Sequence, residues 1–325
     1  MTKKPFYITT TLPYVNAEAH MGHALEFIQA DYIARHKAMQ GDEVFFNTGT
    51  DEHGLKIYQK ALEAGLSPKE YVDGYAEKFK ALKPILNLSF THFIRTTDTN
   101  HIAAAQEFWN RCAQNVDADG KSDIYKGEYD AKYCVGCELE KSESELVDGK
   151  CPIHPNNEIQ IIKEENYFFR WSRYQQALLD LYRDRPDFVV PEGRLNEIRT
   201  FVEGGLRDFS ISRKKDKMPW GVPVPGDDEH VMYVWFDALV NYISTTGWPN
   251  EGADSDFAKF WPGMQVAGKD NLRQQSAMWQ AMLMSAKLPA SSQIFIHGFI
   301  TSGGQKMSKS IGNVINPLDV VNEFG

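Results

Sequence analysis

No run of 18 or more apolar residues occurs in this chain. The longest candidate, Val231 to Val240, is about half a membrane span and carries Asp237 within it, so no membrane partner is expected. Cysteine is scarce: four in 325 residues, at 112, 134, 137 and 151, too few for a secreted disulfide framework. Three of them fall within 18 residues, a crowding that suits a metal clamp in a reducing compartment and makes the cytoplasm the expected location. Basic charge is in deficit, 35 Lys plus Arg against 44 Asp plus Glu for a net −9, which excludes coating nucleic acid by bulk charge but leaves a local basic groove open. The N-terminus lacks a signal-peptide core, because Phe6, Ile8 and Thr10 alternate with other residues and Asn16, Glu18 and His20 follow soon after. Low-complexity tracts and internal repeats are absent as well. With 42% apolar residues and 24 glycines the composition is that of a packed globular protein, long enough for two or three lobes.

The pattern along the chain is that of a doubly wound α/β fold. Lys4 to Tyr14 reads as a strand, and residues 22–40 as a helix with Leu25, Ile28, Tyr32 and Met39 on its buried face and Gly41 as its stop. Glu43 to Thr48 is a second strand, so the three elements make a βαβ unit with a parallel sheet. Helices over 54–64 and 68–83 and a strand over 92–97 continue the series. The same grammar returns late, with strands at 265–267 and 293–297, an amphipathic helix over 271–286 between them, and a helix opened by Asn316 and Pro317. Residues 116–230 between the halves are rich in turns, charges and Pro-containing hairpins. The expected organisation is a Rossmann-type sheet split between residues 1–115 and 231–325, with an inserted domain over 116–230 and a zinc knuckle near 130–156.

Two motifs sit where such a fold binds nucleotides. His20-Met-Gly22-His23 opens the first helix, where backbone N–H groups and the helix dipole favour anions and two imidazoles can hold a phosphate as charge moves to the leaving pyrophosphate. Gly22 would let a flat base approach the backbone. Taken alone, the pair is equally compatible with surface histidines. Gly303-Gly304-Gln-Lys306-Met-Ser-Lys309-Ser310 follows a late strand, and its two lysines can close on a triphosphate. Alone, that too reads as a solvated loop; at the two ends of one split nucleotide fold, the two motifs support each other. Cys134-x2-Cys137-x13-Cys151-x2-His154 offers three sulfurs and one imidazole at spacings that suit tetrahedral zinc, and four protein ligands make a closed, structural site. Cys112 stands apart and reads as a buried thiol.

With these residues in place the sequence resembles the class I aminoacyl-tRNA synthetases, whose paired signatures are His-x-Gly-His and Lys-Met-Ser-Lys-Ser. Gly49-Thr-Asp51-Glu-His53-Gly54, Asp208-Phe-Ser-Ile-Ser-Arg213, Val234-Trp235-Phe-Asp237-Ala238, Gly268-Lys-Asp270 and His297-Gly298-Phe299 narrow the likeness to the methionine-specific family over nearly the whole chain. The resemblance implies ATP-dependent activation of L-methionine to methionyl-adenylate, with magnesium accompanying ATP, and transfer to the acceptor end of tRNA(Met). It places His20, His23, Lys306 and Lys309 on the phosphates as catalytic groups, Asp270 on the ribose, and the backbone near Ile300 on adenine, with Gly22, Gly268 and His297 completing the ATP site. It puts Leu12, Tyr14, Trp235, Ala238, Tyr242, Gln275 and Trp279 around the methionine side chain, Asp51 opposite the α-amino group and Arg213 near the carboxylate. The knuckle would hold one structural Zn2+ near the path of the acceptor end.

Two departures from the family pattern stand out. Gln275 takes a position usually held by His, turning a titratable donor into a neutral amide. The family also continues past the Lys-Met-Ser-Lys-Ser loop into an α-helical anticodon-binding domain with no counterpart before Gly325, so a monomeric catalytic fragment is expected. The alternatives are a class I synthetase for another apolar amino acid, a small nucleotidyltransferase, and a non-catalytic zinc-containing RNA-binding module. The nucleotidyltransferase gives no reason for the insert, and the intact His20, His23, Lys306 and Lys309 argue against the inert module.

Overall fold

The computed structural model describes residues 3–137, 139–141, 145–302, 305–306 and 315–324. The chain begins with β1 (Pro5–Thr10), α1 (Met21–Met39), β2 (Glu43–Thr50), α2 (Leu55–Glu63), α3 (Pro68–Ile85), β3 (His92–Arg95) and α4 (Thr99–Gln114). A long antiparallel pair follows, β4 (Ile124–Cys134) and β6 (Ile159–Phe169), with β5 (Leu139–Glu140) between them in sequence. Then come α5 (Gln175–Asp184), β7 (Val189–Val190), α6 (Glu192–Glu203), β8 (Phe209–Ser210), β9 (Ser212–Lys214), β10 (Pro223–Val224) and β11 (Asp227–Met232). The last third holds α7 (Val234–Leu239), α8 (Asn241–Ser244), α9 (Asp256–Phe260), β12 (Met264–Gly268), α10 (Trp279–Ser285), β13 (Gln293–His297), the short pair β14 (Thr301–Ser302) and β15 (Gln305–Lys306), and α11 (Pro317–Phe324).

Six strands form one parallel sheet in the order β3-β2-β1-β12-β13-β7. The first half of the chain builds outward from β1 and the second from β12, so the direction of winding reverses between these neighbours. That reversal opens a crevice at their carboxyl ends. Val189–Val190, within the 116–230 range read as an insert, add the sixth strand by pairing with Ile294 and Phe295. The β5-β4-β6-β8 sheet stands apart as the insert's own scaffold. No described helix is long and apolar enough to cross a membrane.

Alternation along each strand divides the core. Ile8, Phe46 and Val266 face the α1–α3 layer, while their neighbours Tyr7, Phe45 and Ala267 face the layer that holds α4, α8 and α10. Helix α1 turns a different face inward from the one its larger residues suggest: Ala24, Phe27, Ala30 and Ala34 are buried, whereas Tyr32 is 73% and Met39 86% exposed. Small side chains let the helix lie close to β1 and β2, where bulkier ones would hold it away. The helix expected over 271–286 is also interrupted. It comprises a 3-10 turn (Lys269–Asn271), a π-helical turn (Gln274–Met278) and only then α10.

Two helices are tied to the loop after β2 by one carboxylate. Asp237 in α7 is fully buried, 2.6 Å from His53 Nδ1 and 2.8 Å from His101 Nε2 on α4, and His101 Nδ1 lies 2.9 Å from Ser244 Oγ on α8. Burial pushes the Asp237 carboxyl up, but the two facing imidazoles more than offset this and hold it at about 2. Because the folded value lies below the ordinary carboxylate value of about 3.9, the stabilisation is complete above that pH and is lost as pH falls towards the folded value. Asp237→Asn is expected to lower the unfolding free energy at neutral pH by roughly 3–5 kcal/mol and to flatten the acid limb of stability below pH ~4. Denaturant melts of both proteins across pH 2–7 check this; parallel acid limbs would contradict it.

Candidate active site

The crevice at the β1–β12 junction is a cavity of about 370 Å³. Its walls come from the ends of four parallel strands: Leu12 and Tyr14 after β1, Asp51 after β2, Gly268 and Asp270 at β12, and His297 at β13. Helix α1 contributes Gly22 and His23, with His20 as its N-cap; α7 and α8 contribute Trp235, Ala238 and Tyr242. Gln275 and Ile300 also line it. Sequence positions separated by nearly 290 residues thus converge on one volume.

The start of α1 is built by its own histidines. His20 Nδ1 accepts the Gly22 backbone N–H at 3.0 Å, and His23 Nδ1 accepts the His20 N–H at 3.3 Å, forming a reciprocal capping box. The rings stack with centroids 3.8 Å apart. A neutral imidazole that accepts at Nδ1 carries its proton on Nε2, so each ring is fixed as an Nε2–H donor. The glycine between them has a specific steric cause: a Cβ at Gly22 would lie 2.8 Å from His20 Cε1. A side chain there would displace the capping ring. Gly268 is similar, since its Cβ would meet Asp270 Oδ1 at 2.8 Å.

Asp51 is held by strand-like bonds to the segment after β1: its N–H donates to Pro13 O at 2.9 Å and its carbonyl accepts from Val15 N–H at 3.1 Å. These bonds fix Tyr14 beside Asp51 as an isolated parallel bridge, while β1 itself ends at Thr10, short of the expected Tyr14. Tyr242 is fully buried, which raises its phenol well above the ordinary value, the neighbouring Gln275 side chain partly opposing the rise. Trp279 lies outside the lining. It packs behind Tyr242, ring centroids 5.9 Å apart, and stacks on Phe108; it opens α10 directly after the π-helical turn and is fully buried in the core. Arg213 is not a wall of this cavity either. Its Nη1 donates to Ser210 Oγ at 2.8 Å and its guanidinium lies 4.3 Å above the Tyr233 ring. Lys306 is described only by its backbone in β15, and Lys309 lies outside the described residues.

The sequence reading missed Glu26. Its carboxylate accepts the Thr11 N–H at 2.7 Å after β1 and faces His297 Nε2 at 3.2 Å after β13, joining three elements beneath the cavity. An acid one residue before Phe27, on the inward side of α1, was the available signal. The metal cluster also borders the cavity through Gly136 and Cys137. The ligand atoms of Cys134, Cys137, Cys151 and His154 all lie within 4.8 Å of one another, and Cys137 Sγ is 3.2 Å from His154 Nδ1. A Cβ at Gly136 would fall 2.5 Å from the His154 ring, so only glycine permits this approach. The donor set suits a soft divalent ion. Cys112 is fully buried and remote from the cluster.

Burial lowers the His297 pKa, but the Glu26 carboxylate facing it raises it further, for a net rise above the ordinary value. Glu26→Gln is therefore expected to lower the His297 pKa, as read from the pH titration of its ring NMR signals. An unmoved titration would remove Glu26 from this role.

Comparison with known proteins gives a consistent result. The family model described as "tRNA synthetases class I (M)" matches residues 6–160 and 142–325. The methionine--tRNA ligase of Thermosynechococcus vestitus is 47% identical over 324 residues, covering 98% of this chain and 60% of that protein. That of Thermotoga maritima is 47% identical over 325 residues, covering 98% and 50%. The chain therefore spans about half to three-fifths of the length of these relatives. Mycobacterium tuberculosis methionyl-tRNA synthetase in complex with methionyl-adenylate superposes with a TM-score of 0.92 at 43% identity, covering 99% of this chain and 62% of that one. Its apo form gives 0.77 at 40% identity, with 92% and 57% covered. With a family model spanning nearly its whole length, the chain belongs to the class I tRNA synthetases of the (M) family.

Proposed function

We propose that this chain is a catalytic core that activates L-methionine with ATP, forming methionyl-adenylate and pyrophosphate, and passes the methionyl group to a terminal hydroxyl of tRNA(Met). The convergence of paired imidazole donors, three carboxylates and an aromatic slot at the sheet's switch point carries this reading. The similarity to an adenylate-bound relative supports it. The residue roles and the 1–115, 116–230 and 231–325 division remain part of the proposal.

In the first step a methionine carboxylate oxygen attacks the α-phosphorus; the new O–P bond forms as the bond to the bridging oxygen breaks, and pyrophosphate leaves. No side chain becomes covalently attached. His20 and His23 donate Nε2–H to phosphate oxygens that gain charge in the transition state, an electrostatic role that needs no proton transfer. Lys306 and Lys309 neutralise the departing pyrophosphate, and Mg2+ accompanies ATP. Asp51 pairs with the α-ammonium, Asp270 takes the ribose hydroxyls, and the backbone at Ile300 takes adenine. Leu12, Tyr14, Trp235, Ala238 and Tyr242 enclose the thioether, which packs favourably against aromatic rings. Trp279 supports Tyr242 from behind. Zinc held by Cys134, Cys137, Cys151 and His154 would leave no open coordination position, so its contribution is to fix the knuckle against the cavity rim. The unbridged cysteines accord with a reducing, cytoplasmic setting, and the partner is the acceptor end of tRNA.

ATP–pyrophosphate exchange tests the reading: exchange should depend on methionine, and equal exchange with leucine, isoleucine or valine would overturn it. In the same assay His23→Ala should lower kcat by about 10²–10³ while changing the methionine KM little, since the donated bond strengthens mainly in the transition state. Metal analysis of protein purified without chelator should give one zinc per chain, and Cys151→Ser should lose that zinc and lower the Tm. A metal-free wild type with the same Tm as the variant would refute the structural site.

A further inference from the structure

The loop after β2, residues 51–54, is held from several sides at once. Asp51 is bonded through its backbone to Pro13 and Val15. Glu52 is fully buried, and its carboxylate accepts Arg95 Nε at 2.7 Å and Nη2 at 2.9 Å from the end of β3. Trp220 holds the loop twice: its Nε1–H donates to Glu52 O at 2.6 Å, and its carbonyl accepts the Gly54 N–H at 3.1 Å. His53, 4% exposed, turns towards α7, with Nδ1 2.6 Å from Asp237 Oδ2. An ionised carboxylate has no proton to give, so His53 is the donor. Asp237 lies on α7 between Trp235 and Ala238, two walls of the cavity. Neither His53 nor Asp237 lines the cavity itself. Their bond therefore joins the loop that carries Asp51 to the helix that carries the side-chain walls, behind the surface that a ligand touches.

We infer that His53 is a positioning residue: it fixes the separation of Asp51 from Trp235 and Ala238 and thereby sets the length of the amino-acid side chain that is activated. The inference rests on the methionine-activating reading, in which Asp51 holds the α-ammonium and α7 encloses the thioether end. Two contacts at opposite ends of a ligand measure its length only if the structure joining them is stiff. Apolar packing alone tolerates small slips of α7, whereas a buried, charge-assisted bond resists separation of its partners. One methylene in a fixed apolar slot is worth about 10–200-fold in specificity, and a slot free to lengthen forfeits that. The groups assigned to ATP stand on other elements, His20 and His23 at the start of α1 and Asp270 and His297 at β12 and β13. The strut thus acts on one substrate and not on both.

ATP–pyrophosphate exchange by the full 325-residue chain, with L-methionine and with L-ethionine, one methylene longer, tests this. His53→Leu should raise the methionine KM by about tenfold or more, the loss expected for a bond to a charged group, and leave the ATP KM within about twofold. The ratio of kcat/KM for methionine over ethionine should fall by about tenfold with it. His53→Asn, whose side-chain nitrogen takes the place of Nδ1, should return both values towards the wild type. His53→Gln sets its amide one bond further out and should show the same split in smaller measure, which keeps the test readable if His53→Leu fails to fold. His101→Leu removes the other imidazole on Asp237, from α4, and should lower the Tm without the split, since the bond from α7 to the Asp51 loop survives. An unchanged methionine KM or equal rises in both KM values in the Leu and Gln variants of His53, a His53→Asn no better than these, or the same split in His101→Leu would overturn the inference. Each of these results leaves methionine-dependent exchange by the wild type intact. Wild-type exchange indifferent to methionine would overturn that reading and this inference with it.

Discussion

The pairing of β1 with β12 is the constraint on which the site depends. Ile8, Thr9 and Thr10 run in parallel register with Met264, Gln265 and Val266, so segments about 255 residues apart become adjacent strands. Each half then winds away from this seam, and the loops leaving the two carboxyl ends diverge. The space they leave cannot be filled by backbone, which accounts for a cavity here rather than elsewhere along the sheet. Both halves contribute their β–α turns to its rim. The late pairing also closes a very long loop, whose entropic cost grows only logarithmically and is therefore tolerable.

Buried carboxylates hold that rim. Glu26 joins α1 to the ends of β1 and β13, and Asp237 joins α7 to His53 and His101. Asp123, also fully buried, receives Arg173 Nη1 at 2.6 Å, Ser285 Oγ at 2.7 Å, Asn115 Nδ2 at 2.7 Å and the Tyr174 hydroxyl, tying the insert to α4 and α10. An apolar contact in any of these places would tolerate small slips. A desolvated carboxylate with matched donors does not, because a displaced partner leaves charge unpaired in low dielectric. Rigidity at the cavity is thus obtained from directional bonds, and bulk stability from the two apolar layers.

Legibility from sequence followed the range of the interactions. The βαβ order, the histidine pair opening the first helix and the metal spacing were visible because each depends on local periodicity or on a short motif, whereas the cavity residues were named through the family resemblance. The inward face of α1 was misread, since Ile28, Tyr32 and Met39 are larger and more apolar than the alanines that are actually buried. Hydrophobicity marks that stripe, but the close approach of helix to sheet selects the other. Trp279 was placed with the pocket by the family resemblance, whereas the π-helical turn shifts the phase of the following helix and sends the ring into the core. Glu26 gave only a weak signal, because its partners lie on β1 and β13.

By itself, the sequence determined the order and type of the main elements and the Cys134, Cys137, Cys151 and His154 cluster, both of which are encoded within short stretches of chain. Tertiary structure alone decided that Val189–Val190 would join the parallel sheet, that the His20 ring would crowd a Cβ at Gly22, and that Arg213 would stand outside the cavity that Asp51 lines. The physical reason is common to all three: each is set by which surfaces meet when distant segments pack, and periodicity along one segment carries no record of the space left by another.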